Sequence, residues 1–233
     1  MIILALESSA TACSAALTKD GEIVSQAYEN SGLTHSRTLL PMVSHVLESG
    51  GVSIGEVDVV AVAAGPGSFT GLRIGVATAK GIAWSANKDC AACSTLESMA
   101  WQVAHLKGKL IVCAMDARRK QVYNALFLAQ GEYLERLTPD RAISLDELAE
   151  ELRKYENSKI LIGDGASLCY NTLTEQGITL ELVPPHLRMQ MAWGVARAAQ
   201  EMAVGGELVK SHDLVPVYHR LSQAERERLE KQS

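Results

Sequence analysis

Apolar and small residues fill two short runs at the start of the chain, Ile2 to Leu6 and Ala12 to Thr18, followed by a more polar run, Glu22 to Tyr28. Each has strand length. The Lys19-Asp20-Gly21 link predicts a hairpin between the second and third, because Asp-Gly tolerates the positive φ of a tight turn. From Thr34 to Ser49 the pattern becomes helical, although an interior Pro41 is costly, so the helix either begins near Leu39 or is kinked. Its apolar residues Leu39, Leu40, Met42, Val43, Val46 and Leu47 cover more than one stripe, which predicts burial on two sides. A buried strand is expected over Val57 to Ala63, then a helix from about Thr70 to Asn87. This second helix is also apolar nearly all round, with Arg73, Ala77, Lys80 and Trp84 as its one partly polar face.

The segment GPGSFTGLRIG, Gly65 to Gly75, joins that strand to that helix and is the most distinctive stretch of the chain. Gly65 and Gly67 can take positive φ while Pro66 fixes its own, so the segment reads as a tight turn. Gly71, Gly75 and Ala79 recur every four residues and leave a row without side chains. Either another helix docks along that row, or the helix packs closely on its own sheet.

The second half repeats the scheme more weakly. Strands are expected over Lys109 to Met115 and Gln121 to Phe127, and Ser144 with Glu147 marks a capping-box helix start running to Tyr155. A strand, Lys159 to Ile162, enters Gly163-Asp164-Gly165 and a helix to about Gln176; a last helix follows Pro184-Pro185, roughly Arg188 to Val204. This succession predicts an α/β protein of two lobes, 1–106 and 107–220, with 212–220 a candidate return onto the first lobe and 221–233 a charged tail.

At 233 residues, 47% hydrophobic and 21% charged, the chain can bury a sizeable core. A formal charge of −5 argues against gripping nucleic acid unaided, so RNA contact is expected to be shared with a partner. No apolar run reaches membrane-span length and the N-terminus lacks a signal-peptide pattern, which predicts a cytoplasmic protein with no membrane partner. Five cysteines spread from Cys13 to Cys169 do not make a disulfide framework; Cys90 and Cys93 read as a buried strand end.

Candidate chemistry is sparse. The turn Glu7-Ser8-Ser9-Ala10-Thr11 either holds a phosphate with N–H groups and hydroxyls, Glu7 standing near a metal-bound nucleotide, or is a plain turn. Gly163, Asp164 and Gly165 either let backbone approach an adenosine or make a tight turn. There is no GxxxxGK[ST], no G-x-S-x-G, and no histidine pair at helical ligand spacing: His35 and His45 lie roughly 80° apart around a helix. The basic clusters Arg118-Arg119-Lys120 and Arg220, Arg226, Arg228 either touch RNA phosphates or are solvated.

In order and spacing, the segments ALESSATACSAAL, HSRTLLPMV, GPGSFTGLRIG, STLE, DARRKQVY, GDGA and PVYHR resemble the TsaB (YeaZ) family, over nearly all of Ile2 to Arg220. The resemblance implies a two-lobed actin, sugar kinase and Hsp70-like (ribonuclease H-like) fold with a degenerate active site, related to the catalytic subunit TsaD. It implies a non-catalytic scaffold that supports TsaD in transferring a threonylcarbamoyl group to N6 of adenosine 37 in tRNAs reading ANN codons. TsaE, an ATPase, is an implied partner; a homodimer is implied when the chain is alone, and tRNA is reached only through the complex. The two N-terminal helices are implied to form the contact, through Leu39, Met42, Val43, Val46, Leu72, Arg73, Val76, Ala79 and Lys80. No metal and no tightly bound cofactor are expected. Position 7 is Glu where this family more often has Asp, which keeps weak ATP or ADP affinity open, with Glu7, Ser8, Ser9 and Gly163 to Gly165 as vestigial contacts. The rival readings are an ATP-dependent phosphotransferase of the same fold and a peptidase of the same superfamily.

Overall fold

The computed structural model describes residues 1–118 and 120–219. The first lobe is built from β1 (Ile2–Glu7), β2 (Cys13–Lys19), β3 (Glu22–Glu29), α1 (His35–Gly50), β4 (Val59–Gly65), α2 (Phe69–Ala86) and β5 (Asp89–Ser94), with α3 (Thr95–Trp101) leading onward. The second contains β6 (Leu110–Asp116), β7 (Gln121–Ala129), β8 (Leu134–Arg136), β9 (Arg141–Ser144), α4 (Leu145–Leu152), β10 (Lys159–Ile162), α5 (Ala166–Glu175) and β11 (Glu181–Leu182), before α6 (Ala192–Gly205).

The two sheets share one plan. In the order β3-β2-β1-β4-β5, the first strand is central, with its antiparallel hairpin on one side and parallel strands on the other. The order β11-β10-β6-β7-β8 repeats this around β6, with β9 pairing β7. Strand alternation sorts β1 between two cores: Leu4 and Leu6 face α1 and α2, while Ile3 and Ala5 face α6.

Local chemistry explains the element ends. Asp20 and Gly21 take φ 52° and 86°, as the predicted hairpin requires. Helix α1 begins at His35 and continues through Pro41, so a start near Leu39 is not found. Ser68 caps α2, its hydroxyl accepting from the Gly71 N–H. Gly65 has φ 143°, but Gly67 does not take positive φ; what it needs is space, since a Cβ there would lie 2.5 Å from the Ser9 carbonyl oxygen. The Ser144–Glu147 capping box forms as predicted, and that helix stops at Leu152.

Cys90 and Cys93, read as a buried strand end, lie in β5, whereas helix α3 and the short strands β8, β9 and β11 are additional to the predicted elements. Helix α6 starts at Ala192 instead of near Arg188, because Met191 is extended and Pro185–Leu187 form a 3-10 turn. That helix lies against the first sheet: Val195, Ala196, Ala198 and Ala199 pack on Ile3, Ala5, Ala16 and Ala61, small residues that let helix and sheet approach closely. The segment beyond it stays there. Cys90 and Val209 exchange backbone hydrogen bonds of 2.8 and 2.9 Å, and the Val217 N–H donates to the Ala64 carbonyl at 2.7 Å. The division at 106/107 is therefore crossed at Ala192, well before the return considered at His212.

The row Gly71, Gly75, Ala79 serves this chain's own packing, not a partner helix. A Cβ at Gly71 would fall on the Ser8 carbonyl oxygen, and one at Gly75 on the Ser8 hydroxyl, while Ala79 is fully buried in the first core. Gly75→Val should therefore lower unfolding free energy by about 2 kcal/mol or more, through overpacking against Ser8 and Val62. Gly81 on the open side of α2 has no atom within 4 Å of an added Cβ, so Gly81→Ala should stabilise by about 0.5–1 kcal/mol. Denaturant titration of the two variants checks both signs.

Candidate functional site: an outer helix face and an interlobe cleft

Of the nine residues expected to hold a partner, Leu39, Val43, Val46, Val76 and Ala79 are buried in the chain's own core with Leu4, Leu6, Val60 and Val62, and Leu72 is buried too, at 1% exposure. They are corrected to core residues: their helix faces are consumed by the sheet. Met42 is half-buried on the same cluster. Arg73 is exposed and its Nε donates to the Tyr218 hydroxyl at 2.9 Å, beneath a Phe69–Tyr218 ring stack. The Lys80 ammonium donates to the His212 carbonyl at 2.8 Å and is tied to its own chain.

The surface left open on these helices is different. Leu40 is 55% exposed and Trp84 is 78% exposed, each one residue out of phase with a buried neighbour, Leu39 and Ala83. Exposed Ala77 and Gly81 lie along α2 toward Trp84 and give it a shallow, small-residue outer face. The excess of apolar residues around both helices was the available signal; the phase of the core stripe decides which of them face outward.

The second feature is a cleft of about 880 Å³ between the lobes. Its first-lobe wall carries Ser9, Thr11, Gly67, Ser68 and Phe69; its second-lobe wall carries Asp116, Arg118 and Asp164. The wall at the end of β1 is firmly built. The Ser8 hydroxyl donates to the Gly71 carbonyl at 3.0 Å, the Ser9 N–H to Glu7 Oε1 at 2.6 Å, and the Ser68 N–H to the Ser9 carbonyl at 2.7 Å. Across the cleft, Gly163 has φ 113° and Gly165 donates its N–H to the Ala114 carbonyl at 3.0 Å, holding the intervening Asp164 at the wall. Of the expected vestigial contacts, Ser9 and Asp164 line the cleft, while Glu7 and Ser8 lie buried behind the wall. Asp116 at the end of β6 was missed as a site residue; its sign was an acidic residue closing an apolar strand, the same pattern as Glu7 closing β1.

Among the described residues no group of three or more His, Cys, Asp or Glu is placed to hold a metal ion. All five cysteines are free and buried, and burial pushes the Cys90 thiol up to about 11. No helix of the described residues is long and apolar enough to cross a membrane. Arg119, Arg220, Arg226 and Arg228, with the tail 221–233, lie outside the described residues.

Burial pushes the Glu7 carboxyl up to about 7; the adjoining Ser9 hydroxyl and N–H hold it down in part, and the charge of Asp164 raises it further. The Asp164 carboxyl is itself raised, by burial first, with the Asp116 charge adding to this against the hydrogen bond from Gln190. The folded protein thus keeps the Glu7 proton to higher pH than the unfolded chain does. This group's contribution to stability is fully present below the ordinary carboxylate value, falls as pH rises toward 7, and levels off above it, a loss of about 3 kcal/mol. Unfolding free energies at pH 5 and pH 8 should differ less in Glu7→Gln than in the native chain; equal pH dependence in both would contradict the assignment.

Comparison with known proteins places this geometry. A family model described as TsaD, tRNA N6-adenosine threonylcarbamoyltransferase, matches residues 26–224. The tRNA threonylcarbamoyladenosine biosynthesis protein TsaB of Bacillus subtilis is 31% identical, over 100% of this chain and 100% of that protein. TsaB of Escherichia coli is 30% identical over 94% of this chain and 95% of its own. The solved structure of YeaZ from Pseudomonas aeruginosa superposes with a TM-score of 0.78 at 26% identity, covering 93% of this chain and 100% of that one. The duplicated sheet plan is that of the two-lobed actin, sugar kinase and Hsp70-like fold. With agreement in sequence and fold along essentially its whole length, the chain belongs to the TsaB (YeaZ) family of tRNA threonylcarbamoyladenosine biosynthesis proteins.

Proposed function

We propose that this chain is a non-catalytic subunit that holds a TsaD-type threonylcarbamoyltransferase, and that the outer faces of α1 and α2 make the contact. The observation that carries the reading is the exposure of Trp84 and Leu40, at 78% and 55%, on helices whose inner faces are filled by the chain's own core. A water-facing indole and leucyl side chain on neighbouring helices favour burial against a second protein, and each is worth about 1.5–3 kcal/mol when covered. The match of this chain to the TsaD family model supports a partner of related fold. When TsaD is absent, the same face pairs two copies of this chain. TsaE joins the assembly, tRNA is reached only through it, and the reaction served is transfer of the threonylcarbamoyl group to N6 of adenosine 37.

Support for a non-catalytic role comes from the end of β1. Glu7 and Ser9 are each 0% exposed, so neither side chain presents a group to a reacting atom in the folded chain. Weak binding of ATP or ADP belongs to the junction with the partner. One observation favours a second reading: the cleft sets the N-terminal end of α2 opposite Asp116 and Asp164, an arrangement that an ATP-dependent phosphotransferase would use. MgATP turnover by this chain alone would establish that alternative.

The substitutions that separate contact from core follow from the burial pattern. A chain carrying both Leu40→Glu and Trp84→Glu should keep its thermal midpoint yet bind TsaD at least about 100-fold more weakly, with loss of threonylcarbamoyl transfer in the reconstituted reaction. Val76→Glu, at a site 5% exposed, should instead lose the fold by burying an unpaired charge. Co-purification of the double variant with TsaD at full yield would place the interface elsewhere.

A further inference from the structure

The two sheets end differently at their edges. The second sheet stops on short strands, β11 of two residues on one side, β8 and β9 of three and four on the other. Edges so short offer little to a further strand. In the first sheet, β5 meets the chain's own C-terminal segment at the Cys90–Val209 pair. The opposite edge is β3, eight residues long, and among the described residues no backbone hydrogen bond reaches it from outside the sheet. Every second N–H and C=O of such a strand points away from its neighbour, which leaves a row of donors and acceptors open.

Three features single out one half of β3. Its pairing with β2 shifts register between Leu17 and Thr18, beside Val24, but runs regularly from Ser25 to Glu29. Along that regular half, Gln26 and Tyr28 stand opposite Ala16 and Ser14 on the face that α6 covers, and the Ala192 N–H donates to the Ser14 hydroxyl at 2.9 Å. There Gln26 and Tyr28 border a groove of about 300 Å³ that His186, Met191 and Trp193 also line. On the other face of the strand lies Glu29, whose carboxylate accepts the Ser31 hydroxyl and forms no ion pair among the described residues. Glu22, at the irregular end, has Lys19 as its β2 neighbour, whereas Glu29 has Cys13. The regular edge, the groove and the uncompensated carboxylate therefore coincide.

Strand geometry turns these features into a description of the occupant. In an added strand, the side chain opposite Tyr28 falls on the groove side and the adjacent one falls beside Glu29. The groove favours a bulky apolar side chain and the carboxylate a cation. A second copy of β3, EIVSQAYE, brings no cation to Glu29. We propose that the Ser25–Glu29 edge binds an extended segment of a partner protein as a sixth strand, an apolar side chain in the groove beside Tyr28 and an adjacent lysine or arginine on Glu29. Main-chain hydrogen bonds give the contact its affinity, and the apolar and basic pair its selectivity. The edge is separate from the Leu40 and Trp84 face, so it stands or falls independently of TsaD docking.

The test is fluorescence-anisotropy titration of the full chain with short labelled peptides of alternating Thr and Val that carry Lys-Leu-Lys, Glu-Leu-Glu or Lys-Ser-Lys at the centre, read together with amide hydrogen exchange. Flanking the leucine on both sides serves either strand direction. The Lys-Leu-Lys peptide should saturate at about 1 mM or below and bind about tenfold more tightly than Lys-Ser-Lys and several-fold more tightly than Glu-Leu-Glu. It should also slow exchange of β3 N–H groups. Glu29→Lys should remove the preference for Lys-Leu-Lys over Glu-Leu-Glu while leaving the thermal midpoint in place. Should that variant fail to fold, the exchange pattern of the native chain still decides. No saturation by Lys-Leu-Lys, equal binding of Glu-Leu-Glu, protection confined to α1, α2 or the cleft, or a β3 edge already protected by self-association of the free chain would each overturn the proposal.

Discussion

Helix α2 lies so close to the turn after β1 that a single methyl group at Gly71 or Gly75 would occupy the position of Ser8. That approach sets the rest of the first lobe. It lets Ser8 bridge to the Gly71 carbonyl and Ser9 receive the Ser68 N–H, which fixes the start of the helix against the end of the central strand. From there Val76, Ala79 and Ala83 are directed into the core with Leu4, Leu6 and Val62. The remaining positions of the same helix must face away from the sheet, and Trp84 is among them. One steric constraint thus places both candidate surfaces, the cleft at the helix N-terminus and the open face along its side.

The C-terminal segment reinforces this arrangement from the other side. Val217 bonds to Ala64 at the strand end, Leu214 is buried in the first core, and Tyr218 stacks on Phe69 while accepting from Arg73. Lys80 is drawn to the same segment through the His212 carbonyl. Two residues that read as partner contacts in the sequence are therefore engaged within the chain. Helix α6 covers the opposite face of the first sheet with alanines and Val195, so that sheet is enclosed on both faces by one polypeptide.

Much of the fold was legible because it depends on local signals. The Asp20-Gly21 turn, the Ser144 capping box and the strand Lys159–Ile162 are set by adjacent residues, and the repeated strand and helix succession gave two α/β lobes. What stayed hidden depends on distance in the chain. The docking of α6 on the first sheet unites residues about 190 apart, and no local pattern marks it; the three-residue strand β8 exists only through its pairing with β7. In the site, Asp164 and Ser9 were legible from glycine and serine turns at strand ends. The outward-facing residues of α1 and α2 were not, because helices apolar on all sides do not announce which stripe the sheet will take. Leu39 and Leu40 differ by one position and by nearly all of their exposure, 1% against 55%.

The central claim is that this chain's open α1 and α2 face is completed by a transferase of related fold. Sedimentation velocity of the purified native chain, alone and mixed with its cognate TsaD, tests it most directly. The account predicts a self-associated species that converts to a one-to-one heterodimer when TsaD is added. A monomer whose sedimentation is unchanged by TsaD would contradict it.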